Sequence, residues 1–61
     1  MSLGAAIDNA RARVEEAIRV ALEKPSRDGR DMARDAEAVH HLASALRHLE
    51  RARQVLVEYA T

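Results

Sequence analysis

The chain has no cysteine, no tryptophan and no phenylalanine; its single aromatic residue is Tyr59. Without cysteine there is no disulfide to staple a small fold and no thiolate to hold a metal or act as a nucleophile. Without an aromatic platform there is nothing for unpaired bases to stack on. Proline occurs once, at Pro25, and glycine twice, at Gly4 and Gly29, so breakers of regular structure are confined to two short places. Ten basic residues balance ten acidic ones, leaving no net charge to draw the chain toward nucleic acid or an anionic membrane. No apolar run approaches the roughly 20 residues of a membrane span. A water-soluble protein working in the cytoplasm is the expectation, with no membrane among its partners.

What is present is helix-forming. Ala, Arg, Glu and Leu dominate the 61 residues, and charged residues make up 33% of them. At this length folding buries only about 60% of the surface an unfolded chain exposes, so a lone domain is marginal. The only turn chemistry lies at Pro25-Ser26-Arg27-Asp28-Gly29. Lys24-Pro25 must end a helix, because the proline ring disfavours the α region for the residue before it. The pattern predicts an all-α, antiparallel helical hairpin: one domain over 1–61, a first helix over about 3–24, a turn at 25–28 and a longer second helix over about 29–60. Ser2 is the expected N-cap of the first helix, and Ser26 or Asp28 that of the second, with Asp28 and Asp31 favourable at its positive end. The pairs Arg11 with Glu15 and Glu15 with Arg19, each four apart, are expected on the solvated side of the first helix.

The first helix has one apolar stripe, Leu3, Ile7, Ala10, Val14, Ala17 and Ala21, widened by Ile18 and Leu22. The second has two. One seam runs Met32, Asp35, Val39, Leu42, Leu46, Leu49, Arg53, Leu56 and Ala60; the other runs Ala38, His41, Ala45, His48, Ala52, Val55 and Tyr59. Two seams call for two neighbours, and the chain supplies one. The short turn forces the helices antiparallel, so Leu22 is expected beside Met32, Val14 near Val39, Ile7 near Leu46 and Leu3 near Leu49 or Glu50. Residues beyond about Arg51, including Val55, Leu56, Val57 and Tyr59, are then left uncovered.

These features predict a homodimer, two hairpins forming an antiparallel four-helix bundle. Its expected interface comprises Met32, Asp35, Val39, Leu42, Leu46, Leu49, Arg53, Val55, Leu56 and Tyr59, with His41 and His48 as further interface residues. Crossing of the second helices near Ser44 would set Asp35 against Arg53 of the other copy twice, by two-fold symmetry. Such a pair disfavours other registers more than it stabilises. On the second seam the same crossing would place Ala45 near Ala45 and His41 near His48 of the other copy; the pattern allows either seam to form the contact between copies. Interfacial histidines would weaken the assembly as they gain charge on acidification.

No catalytic residue is expected. The serines, Ser2, Ser26 and Ser44, lack a base in a concave setting; Ser44 with His40 and His48 is read as helix surface. Glu37, His41 and His48 share a face but lack the doubled Glu and Glu-x-x-His pattern of carboxylate-bridged bundles, so neither metal nor cofactor is expected. Arg47 and Arg51, and Arg27, Arg30 and Arg34 near the turn, are interleaved with Asp28, Asp31 and Glu50, which argues against a phosphate-binding ridge.

In size and layout the hairpin resembles the Rop family of plasmid regulators, whose helical hairpins dimerise into four-helix bundles that bind paired RNA loops. It is also similar to the small hairpin co-chaperones of type III secretion, which cover a helical partner. The self-complementary charges fit the first resemblance and the unequal helices the second. The expected function is that of a small self-associating interaction protein, an adaptor, scaffold or regulator, whose partners are itself and a helical protein rather than nucleic acid. The alternatives that the resemblances imply are an RNA-binding regulator and a co-chaperone.

Overall fold

The computed structural model describes residues 1–25 and 27–60. Two helices, α1 over Leu3–Glu23 and α2 over Gly29–Ala60, make up the described fold, as the sequence pattern predicts. Ser2 caps α1: its hydroxyl oxygen accepts from the Ala5 backbone N–H at 3.1 Å, satisfying one of the first-turn donors that have no intrahelical acceptor. At the other end Lys24 leaves the helical region, with φ −126° and ψ 66°, while its N–H still bonds the Val20 carbonyl at 3.0 Å. The ring of Pro25 forces that exit. Asp28 caps α2, its carboxylate accepting from the Arg30 N–H at 2.8 Å and its carbonyl from the Met32 N–H at 2.8 Å. The alternative cap, Ser26, lies outside the described residues.

Side-chain pairs along α1 follow helical spacing with one change of partner. Arg11 bonds Glu15 at 3.1 Å as expected. Arg19 turns instead to Glu16 and to Glu23, the latter at 3.1 Å, rather than to Glu15. Glu16 sits three residues away on the same flank, so one guanidinium bridges two carboxylates. Donation to the carboxylate of Glu16, and secondarily to that of Glu23, raises the guanidinium pKa above its ordinary value. The group is charged at any physiological pH either way, so what the pairing contributes is fully present near neutrality and does not vary with pH there.

The register between the helices differs from the level-ended hairpin. Asp8 accepts from Arg53 at 3.3 Å, Arg11 lies 3.7 Å from Glu50, and a Cβ placed on Gly4 would lie 3.5 Å from the Arg53 guanidinium and 3.8 Å from Leu56. In all of these the facing residue numbers sum to about 60, where the level-ended expectation sums to the low fifties: a slip of about two helical turns. Leu56 therefore lies beside Gly4, and Leu3 falls level with about Val57 rather than Leu49. The uncovered stretch moves to the turn end, where roughly the first eight residues of α2, about 12 Å, extend past Glu23. The reason is the length of the link. Five residues separate Glu23 from Gly29, and at up to about 3.5 Å each they outreach that 12 Å, so the link does not hold the helix ends level. The overall length of 49 Å matches the roughly 48 Å of a 32-residue helix, so α2 alone sets the long axis.

None of the described residues is buried. Val14, Ile18, Val39, Leu42, Leu46, Leu49 and Leu56 are half-buried between the helices. Large apolar side chains remain in water elsewhere, among them Leu22 at 71% and Tyr59 at 88% exposure.

Candidate interaction surface

The first seam of α2 is the one that meets α1. Val39, Leu42 and Asp35 border a groove of about 260 Å³ with Ala17, Val20 and Ala21, and farther along Arg53 and Leu56 approach Gly4. Met32, at the turn end, is 52% exposed because α1 has already ended. Asp35 accepts from its neighbour Arg34 at 3.1 Å, and Arg53 donates to Asp8 of its own chain. The two charges that the sequence reading pairs across copies are thus engaged within one hairpin. Gly4 and Asp8, which that reading gave no role, are what fix Arg53.

The second seam points to the flank. Ala38, His41, His48 and Tyr59 are exposed, while Ala45, Ala52 and Val55 are half-buried. Beside it, one turn farther from α1, Glu37 lies 3.9 Å from the His41 imidazole, beyond hydrogen-bond distance, and Arg51 bonds Glu58 at 3.1 Å. The rings of His40 and His41 meet edge-on with centroids 5.5 Å apart. Among the described residues no three His, Asp or Glu side chains come together in a group able to hold a metal ion. No described helix is long and apolar enough to cross a membrane.

A second feature lies at the turn end. Leu22, Pro25, Met32, Ala36 and Val39 line an open, mainly apolar groove of about 310 Å³, with Asp35 as its one charged member. It exists because α2 runs on past the end of α1. Its open shape suits a side chain or two of another helix better than a small molecule that must be enclosed.

Among the described residues every ion pair joins side chains that are each at least about a third exposed, so solvent screens it and it contributes little to stability. Their arrangement matters more than their strength. Asp8, Arg11, Glu50 and Arg53 gather on the α1–α2 seam at the end away from the turn, leaving the second seam flanked by a separate row of charges. No protein-family model matches the chain, and neither the curated proteins nor the solved structures compared with it give a match.

Proposed function

We propose that the chain is a self-associating helical-hairpin interaction protein, an adaptor, scaffold or small regulator rather than an enzyme, whose working form is an antiparallel four-helix bundle of two copies. The observation that carries this reading is the missing core: hydrophobic residues make up 48% of the sequence, yet none of the described ones is buried in a single hairpin. With about 1.5 kcal/mol of ordering cost per residue to offset, half-buried contacts along one stripe are a poor source of stability. Association of two hairpins through the second seam supplies the burial that a disulfide or metal supplies in other small domains. Light scattering over a dilution series tests it: the expected mass is twice the 6.8 kDa of the chain at tens of micromolar. A stable, fully helical species of single mass down to low micromolar overturns it.

The turn-end groove favours a second reading, in which Leu22, Met32 and Ala36 receive a helix of another protein. It predicts a chain that is monomeric alone and gains order with its partner. An RNA-binding role, the other alternative, predicts a salt-sensitive mobility shift with structured RNA; the zero net charge weighs against it.

A further inference from the structure

Beside the alanine line of α2 runs a row of residues spaced by seven: Arg30, Glu37, Ser44, Arg51 and Glu58. Seven residues is close to two turns, so the row stays on one flank of the helix. The structure bears this out where its members touch, since Arg51 reaches Glu58 across seven residues at 3.1 Å. The opposite flank, Asp35, Leu42, Leu49 and Leu56, leads to α1. The charged row therefore borders the second seam on the side α1 leaves open.

The signs along the row reverse about Ser44. One step toward the N-terminus is Glu37 and one step beyond is Arg51; two steps out are Arg30 and Glu58. A row that reverses sign about its midpoint is complementary to itself turned end for end, which is the requirement of a two-fold contact between identical helices. A different protein as partner imposes no such requirement.

We infer that a second copy docks its α2 antiparallel along the Ala38, Ala45 and Ala52 line, with the two-fold axis near Ser44, so that Glu37 meets Arg51 of the partner subunit and Arg30 meets Glu58 of the partner subunit, each pair formed twice. This assignment rests on the self-association proposed above and adds its face, direction and register. The alanines let the helix axes approach closely, and in this register His41 stands opposite Ala45 of the partner subunit and His48 opposite Ala38 of the partner subunit, large against small. The alanine line repeats every seven residues and accepts several registers equally. The charges choose among them. A parallel two-fold pairing carries the two rows to opposite sides of the contact, so none of these pairs forms; an antiparallel pairing shifted by one repeat sets Glu37 against Glu58 of the partner subunit.

Two single variants test this. Glu37→Arg makes both central pairs Arg against Arg, and Arg51→Glu makes both Glu against Glu, so each variant alone is expected to dimerise roughly threefold to tenfold more weakly than the wild type at low salt. In the mixed dimer both central pairs join opposite charges. An equimolar mixture, read by native mass spectrometry, should hold the heterodimer well above the statistical half, with the excess shrinking in high salt. Loss of the intrachain Arg51–Glu58 bond is common to the variant alone and in the mixture, so it does not alter the comparison. Circular dichroism of each variant separates loss of helix from loss of association. A dimeric wild type whose variants mix only statistically overturns the inference while leaving self-association standing, and points to another register, such as the shifted one that sets Val55 against Ala38 of the partner subunit. A monomeric wild type overturns both.

Discussion

Gly4 of α1 lies beside Arg53 and Leu56 of α2. A methyl group there would meet the Arg53 guanidinium carbon at 3.7 Å and Leu56 Cδ1 at 3.8 Å, which is ordinary van der Waals contact, and the backbone is helical with no positive φ. Gly4→Ala is therefore expected to stabilise the fold, by about 0.5–1 kcal/mol through reduced chain entropy in the unfolded state. A urea titration followed by circular dichroism measures it; a loss of stability would mean that the methyl group disturbs the packing of Arg53 and Leu56 against α1. Asp8→Ala is expected to have a small effect, under about 1 kcal/mol, because both members of the Asp8–Arg53 pair are about half exposed. That difference should fade in molar salt, when unfolding midpoints of variant and parent are compared.

Among the elements, α2 depends on its first turn because its start runs beyond α1. Asp28→Ala removes the acceptor for the Arg30 N–H and should cost about 1 kcal/mol. The same geometry sets an order of opening: backbone amides over 32–36, which α1 does not flank, should exchange with deuterium sooner than those over 42–49. Equal protection of the two stretches would show that the link or a second copy shields the turn end. The two helices, the Ser2 and Asp28 caps and the Pro25 stop were all legible in the sequence, since each depends on residues within one turn of itself. The register was not. It depends on how a five-residue link is spent, and on Gly4 and Asp8 meeting residues some fifty positions away. The seams were legible as lines, but which one faced α1 was decided by those distant contacts, and Arg53 with it.

For the whole molecule, the lack of any buried described residue makes the concentration dependence of stability the decisive measurement. If two hairpins share one core, the thermal midpoint should climb as protein concentration rises, because mass action favours the folded dimer. Melting curves collected across a hundredfold range of concentration measure this, and a midpoint that stays fixed speaks for an independent hairpin. The slipped register also decides where the chain presents its extremities. Since Gly4 lies beside Leu56, the start of α1 and the end of α2 sit at one pole of a rod 49 Å long, while the start of α2 sits at the other. Cargo domains fused to the two ends of one chain would be held side by side, whereas an insertion at the link would be carried the length of the rod away from them.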